Sequence, residues 1–280
     1  MPNEHGLPSP SSNPAILVFD IENAPITGVA WERRQTDLAA ILKESYLLGV
    51  GWKWLNEPHT HWFSIYQDPD FAPWGNDEKL VAERLWWLLD RADIVIGHNM
   101  EAFDTKKANS LFARYGLGPP SPYQVVDTLS HYRRHFKEDS YRLADIAVRY
   151  GLGEKTPHQG IGLWIGCMKG DPKAWGRMER YCRQDVRLTE AFYKFLLPWI
   201  GYRRKGSHPN LGHWGIMDPD NPVCPNCGST GTLIKKGKHY TFVSVFQSYW
   251  CKPGKGGCGA WPRARLREPG SYPRGGPQAV

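Results

Sequence analysis

Apolar positions change their spacing several times along this chain, and each change marks a different element. Ala15 to Phe19 is a five-residue apolar run that starts after Pro14 and ends at Asp20. Its β-branched content predicts a buried strand. Residues 45 to 55 and 61 to 66, with Tyr, Val, Trp and Ile prominent, predict two more strands, and Asn56-Glu57-Pro58 forms a turn between them. These three make a meander. Helical spacing takes over from Asp77 to Leu89, where Leu80, Val81, Leu85, Trp86, Leu88 and Leu89 mark one face behind an acidic first turn. Asp93 to Gly97 predicts a short buried strand, followed by a helix from about Thr105 to Tyr115 that stops at Gly116. After a Pro-rich turn at 118 to 122, Val125 and Val126 lead into Asp127-Thr128, which places Asp127 to cap the next helix. Tyr141 to Tyr150 and Met178 to Leu197 predict two more helices, the second stopping before Pro198. Strands first, then strands alternating with helices, predict an α/β domain over residues 15–200, a mixed sheet flanked by helices.

The flanking segments have another character. Residues 1–14 are rich in Pro, Ser and Asn, which predicts a disordered leader. Residues 201–222, rich in Gly, Pro, His and Asn, suit a linker. A small module follows at 223–268, then a flexible Gly/Pro-rich tail at 269–280. Charge divides the same way. The net charge is +7, yet residues 1–200 carry 23 basic and 25 acidic groups, whereas residues 201–280 carry 12 basic and 3 acidic. A basic appendage of net +9 on a near-neutral body points to a polyanion partner, most often nucleic acid, although a basic tail can also serve solubility alone. No apolar run approaches the roughly 18 residues of a membrane span, and the N-terminus lacks a basic-then-apolar signal pattern, so no membrane partner and a cytoplasmic location are expected.

Four of the six cysteines lie in the module as Cys224-x2-Cys227-Gly228 and Cys251-x6-Cys258-Gly259. Two tight turns presenting two thiolates each predict a tetrahedral four-cysteine zinc site, with the segment from Thr232 to Trp250 forming strands around a Lys-Gly-Lys turn, a zinc ribbon. So small a module needs the metal for its stability. The longer second arm departs from the usual two-residue knuckle. Lys235, Lys236, Lys238, Lys252, Lys255, Arg263, Arg265 and Arg267, with Phe246, Tyr249, Trp250 and Trp261 among them, suit phosphate contact and base stacking, or else the rings pack around the module. Cys167 and Cys182 read as buried, inert thiols.

The remaining chemistry lies at three separated stations. Asp20 and Glu22 flank Ile21 and share one strand face, a costly pairing of like charges unless a cation neutralises it. His98-Asn99-Met100-Glu101-Ala102-Phe103-Asp104 follows the 93–97 strand and places Asp104 in the first turn of a helix. Tyr181-x3-Asp185 puts a phenol and a carboxylate on one helix face. Singly, each has an ordinary explanation in a strand-end acid pair, a capping Asp or a surface Tyr.

In order and spacing, however, the three stations resemble the exonuclease motifs of the DEDD (DnaQ-like) superfamily of RNase H-like fold, and its DEDDy branch in particular. Phe19-Asp20-Ile21-Glu22 is similar to the first motif, Gly97-His98-Asn99 through Phe103-Asp104 to the second, and Tyr181-x3-Asp185 to the third. Val126-Asp127-Thr128-Leu129 and Tyr141-Arg142-Leu143-Ala144-Asp145 also resemble the segment that such domains carry before the third motif. The module, with Cys258-Gly259-Ala260-Trp261-Pro262-Arg263, resembles one carried by a set of phage-encoded exonucleases.

The resemblance implies 3′→5′ removal of nucleoside 5′-monophosphates from single-stranded DNA with two Mg²⁺ or Mn²⁺ ions clamping the scissile phosphate. Asp20 would bridge both ions, Glu22 and Asp185 would hold the one that activates water, and Asp104 would anchor the other. Tyr181 would orient the water or assist its deprotonation. Asn23 and Asn99 would contact the terminal nucleotide or satisfy local backbone, and Phe103 would pack or stack. His158 lies in a loop, solvated or near the site. Hard oxygen ligands for Mg²⁺ or Mn²⁺ and soft thiolates for one structural Zn²⁺ are compatible in one chain. A replication or repair polymerase is a candidate partner. The competing readings are an RNA exonuclease, another RNase H-like nuclease, and a nucleic-acid-binding protein whose nuclease body is inactive.

Overall fold

The computed structural model describes residues 15–34, 37–55, 57–75, 77–156, 160–197, 199, 216, 219–225, 227–240, 245–265 and 268. The expected leader and tail, and most of the expected linker, lie outside them.

Eight residues, Ile16–Asn23, form the central strand β1. A hairpin of β2 (Thr27–Val29) and β3 (Ala40–Lys43) follows, then β4 (Leu47–Trp54) and β5 (His61–Ser64). Helix α1 (Lys79–Arg91), strand β6 (Ile94–Gly97), helix α2 (Asp104–Arg114) and strand β7 (Gln124–Asp127) alternate next. Helices α3 (Thr128–His135), α4 (Leu143–Arg149), α5 (Gly162–Met168) and α6 (Pro172–Leu196) complete the body. Its sheet has the order β5-β4-β1-β6-β7. β1 pairs antiparallel with β4 and parallel with β6, so the sheet is mixed and β1 is shielded on both edges.

Burial on both faces explains the unbroken apolar run of β1. Leu17, Phe19 and Ile21 enter a core with Leu85, Leu88 and Phe112 of α1 and α2. Ile16 and Val18 enter a second core with Val186 and Phe192 of α6. Asp20 and Glu22 continue the even-numbered row, toward α6. That helix runs closer to the sheet than side chains normally permit: a Cβ added at Gly51, paired with Asp20, would meet Cys182 Sγ at 2.7 Å.

Three features depart from the sequence reading. The β2–β3 hairpin interrupts the expected meander. α6 begins at Pro172 rather than Met178, because Asp171 caps it by accepting from Lys173 N at 2.9 Å and Pro172 fits the first turn. α5 occupies a stretch to which the sequence reading assigned no element.

The C-terminal module pairs β8 (Leu233–Tyr240) antiparallel with β9 (Val245–Cys251). The Lys-Gly-Lys segment is not the turn. It lies within β8, where the register shifts between Lys235 and Lys238 and Gly237 takes φ +71, a conformation that favours glycine. Residues 260–264 run alongside β9 without forming a strand of their own, with Tyr249 N donating to Pro262 O and Cys251 N to Ala260 O, both at 2.8 Å. Tyr249, only 1 % exposed, packs with Ile216 and Ala264 and is a core residue rather than a stacking ring. Cys227 and Cys258 pack against the body's second core, near Tyr193 toward the end of α6.

Candidate functional site

At the C-terminal end of β1, carboxylates from three elements come together. Asp20 and Glu22 lie on the strand, Asp104 is the first residue of α2, and Asp185 lies mid-way along α6. Glu22, Asp104 and Asp185 are buried. The Asp104 carboxylate accepts from its own amide and from Ile21 N–H, which ties the start of α2 to β1. Burial raises the Asp20 carboxyl well above its usual range, and Glu22, Asp104 and Asp185 raise it further. Glu22 is pushed up to about 8 by burial and then by Asp185, and Asp104 to about 6 by burial. Asp20, Glu22 and Cys182 offer ligand atoms all within 4.8 Å of one another. Cys182 Sγ donates weakly to Asp20 O at 3.8 Å, and burial holds its thiol protonated.

Two side chains that the sequence reading missed complete the cluster. Lys155 Nζ donates to Asp185 Oδ2 and stands 3.4 Å from Tyr181 OH, supplying a positive charge to the carboxylates. Trp164 of α5 donates to Glu22 and meets the Tyr181 ring edge-on, with centroids 5.9 Å apart. Burial pushes the Tyr181 phenol up, and Asp185, to which it also donates, adds to the shift. The phenol therefore stays neutral and remains a donor.

The turn carrying the second motif is organised from β7. Besides capping α3 through Leu129 N at 2.9 Å, the Asp127 carboxylate accepts from Asn99 N at 3.0 Å and Glu101 N at 3.1 Å. Those bonds hold Asn99 at φ +67, which Asn tolerates better than most residues. The Asn99 side chain is exposed, and Phe103 is 44 % exposed. A cleft of about 360 Å³ is lined by Asn23 and Phe103, the chain neighbours of Glu22 and Asp104, with Lys106, Lys107, Ser110 and the Glu78–Arg114 ion pair. Asn23 Nδ2 is buried there without a hydrogen-bond partner among the described residues. His158 lies outside the described residues.

The four module cysteines form a second cluster, also within 4.8 Å of one another. Sulfurs about 2.3 Å from a tetrahedral zinc stand about 3.8 Å apart. The Cys224–Cys258 and Cys227–Cys251 sulfurs stand at 3.8 Å, and none is joined in a disulfide. Hydrogen bonds from Cys224, Cys227 and Cys258 hold the Cys251 thiol well below its usual range, and Cys258 N–H and the Thr232 hydroxyl also approach its sulfur at 3.3 Å. A thiolate so supported fits zinc, and the cluster can hold one ion.

Cys167 and Cys182 are buried, and burial pushes the Cys167 thiol up to about 12. Among the described residues no helix is long and apolar enough to cross a membrane.

No curated protein matches the sequence. Among solved structures, the family B DNA polymerase from the hyperthermophilic archaeon Pyrobaculum calidifontis is similar in fold, with a TM-score of 0.50 and 20% identity over 70% of this chain. The similarity spans only 26% of that polymerase. A family model described as the RNase H superfamily matches residues 35–197, which starts after β1 and so omits Asp20 and Glu22 but takes in α2, α6 and the rest of the body's sheet. That span is more than half of the chain and takes in four of the five strands of the mixed sheet and its flanking helices: this chain belongs to the RNase H superfamily.

Proposed function

We propose that this chain is a metal-dependent nuclease that removes nucleoside 5′-monophosphates from the 3′ ends of single-stranded DNA. The observation that carries the reading is the convergence of Asp20, Glu22, Asp104 and Asp185 from three elements, with burial favouring protonation of the first three. Such a cluster is stable as carboxylates only with added positive charge, and hard oxygen donors suit Mg²⁺ or Mn²⁺. These four residues would hold two such ions, which supply charge stabilisation at a phosphate and an acidified water.

The chain's own groups account for the remaining tasks. Tyr181, neutral and fixed by Asp185 and Lys155, orients a water by hydrogen bonding rather than taking its proton. Lys155 offers its ammonium to charge that accumulates at phosphate oxygens. Trp164 fixes the Glu22 carboxylate. The cleft beside Asn23 and Phe103 suits a terminal nucleotide, with an amide lacking a partner on one side, an exposed ring on another and two lysines at hand. Asn99, exposed on the turn ahead of Phe103, is a second candidate contact. One zinc ion in the cysteine cluster would hold the ribbon together, and residues 15–200 and 223–268 would act as body and appendage. Because the fold also occurs as part of a polymerase chain, a replication or repair polymerase is a candidate partner.

The test uses single-stranded DNA and RNA oligonucleotides labelled at either end, with Mg²⁺ or Mn²⁺. The expected result is a ladder that shortens from the 3′ end of DNA and disappears in Asp20→Ala/Glu22→Ala protein. An unchanged ladder in that variant, or no cleavage by the parent, overturns the reading. Faster cleavage of RNA moves it to an RNA exonuclease.

A further inference from the structure

The ribbon separates its aromatic residues into two groups. Its apolar core consists of Ile216, Tyr249 and Ala264, with Leu233 against them, while the thiol cluster packs with Ala260. Along β9 the alternation of a strand puts Tyr249 and Cys251 on one face and Phe246, Ser248 and Trp250 on the other. Tyr249 and Cys251 are fully covered, whereas the second row is only half-buried. The segment 260–264 adds to that second face, because Arg263 forms a backbone bridge with Ser248, and Trp261 stacks on Trp250 with centroids 6.0 Å apart and planes 26° from parallel.

Each aromatic group on this face carries a cation. The β8 bulge brings Lys236 Nζ to 5.1 Å from the Trp250 ring and 5.6 Å from the Trp261 ring. The Arg263 guanidinium lies 3.8 Å from the Phe246 ring centre. Phe246 and Trp250 are four residues apart on one strand, roughly 13 Å. The surroundings are mainly basic: Lys235, Lys238, Lys252, Lys255 and Arg265 lie in the described part of the module, against Glu268, which pairs with Lys238.

We propose that Lys236, Phe246, Trp250, Trp261 and Arg263 form a stacking platform for single-stranded nucleic acid, resting on the nuclease reading only for the view that this strand is the substrate. Half-covered rings that alternate with cations match a strand whose π-faced bases alternate with phosphates, and they leave nothing to read base identity. An acidic protein would pair with the cations but has no repeating flat groups to occupy both ring sites. A duplex hides its base faces.

Affinity is measured on full-length, zinc-loaded Asp20→Ala/Glu22→Ala protein, so that binding is read without cleavage, using fluorescent 20-mers of thymidine and of abasic sites with equal phosphate count. Trp250→Ala/Trp261→Ala is expected to weaken thymidine binding on the order of tenfold or more and to leave abasic binding unchanged. Lys236→Glu, at an exposed position, is expected to weaken both and make the salt dependence shallower. The proposal is overturned if Lys236→Glu protein with full zinc content binds both oligomers like the parent, if zinc-retaining Trp variants lose thymidine and abasic affinity alike, or if duplex is preferred. A protein partner would give the first of these results. Failure of the nuclease reading is distinguishable, because it appears as absence of cleavage by parent protein that still binds the thymidine oligomer.

Discussion

The body and the ribbon each gather four groups of acidic hydrogen, and the two gatherings relate to stability in opposite ways. Asp20, Glu22 and Asp104 are oxygen acids whose protons are held tightly because burial penalises the ionised form, and Asp185 joins them paired with Lys155. Two apolar cores hold the body together in spite of them. Among the ribbon thiols the mutual hydrogen bonds divide the protons, pushing Cys224 and Cys258 up and drawing Cys227 and Cys251 down, and only a few apolar residues surround the cluster. Sites that serve chemistry are tolerated by a fold, whereas sites that hold a metal for structure replace a core.

The widest separation between the two comes from mutation. Asp20→Ala is expected to reduce cleavage on the order of 10³-fold or more while leaving the melting temperature unchanged or raised, since a buried like charge is removed. A matching loss of stability, seen by calorimetry, would break the comparison. Cys251→Ser is expected to do the reverse: bound zinc, counted by metal analysis, falls toward zero and the ribbon loses its amide-exchange protection, while residues 15–197 keep theirs.

Smaller effects sharpen the picture. Lys155→Met is expected to lower kcat by about 10²-fold with little change in KM, which steady-state kinetics on a labelled oligonucleotide would show. A pure KM effect would make Lys155 a substrate contact instead. pH resolves the carboxylates. Folded Glu22 keeps its proton up to about 8, while the unfolded carboxyl releases it near 4.5, so the unfolded state binds fewer protons across this window and stability falls as pH rises through it. Without Mg²⁺ the melting temperature is expected to drop by about 5 °C from pH 5 to 8, with added Mg²⁺ restoring it most at pH 8. A flat profile in the parent, or the same slope in Glu22→Gln, would remove Glu22 as its source. The smallest effect is expected from Asp171→Ala, which removes the cap of α6 and costs about 1 kcal/mol, near 3 °C.

What could be read from the sequence follows the range of the interaction. Asp20 and Glu22, Tyr181 and Asp185, and Cys224 and Cys227 are set by spacing within one element or turn, and their shared faces follow from backbone period alone. Asp127 is legible as a cap because its bonds to Leu129 and Ser130 are local, but its hold on Asn99 and Glu101 spans a parallel strand pair and leaves no trace in spacing. Lys155 reaches Asp185 across 30 residues from a segment with no period of its own, and Trp164 lies on a seven-residue helix too short, with glycines at 162 and 166, to declare itself. The β2–β3 hairpin was missed for a related reason: Ile26, Val29, Trp31, Ile41 and Leu42 are exposed, so no half-buried alternation marks it.

Tyr193 gives the chain an order of assembly. It lies on the last turns of α6, fully buried in the core against which Cys227 and Cys258 pack, and the nearness of Cys258, Cys224 and Cys227 adds to the effect of burial in raising its phenol. During translation the body emerges first, and this end of α6 stays uncovered until about sixty further residues have been made and have found their metal. On the proposal that the cysteine cluster holds zinc, the supply of that metal would set how long a newly made body leaves this helix end uncovered.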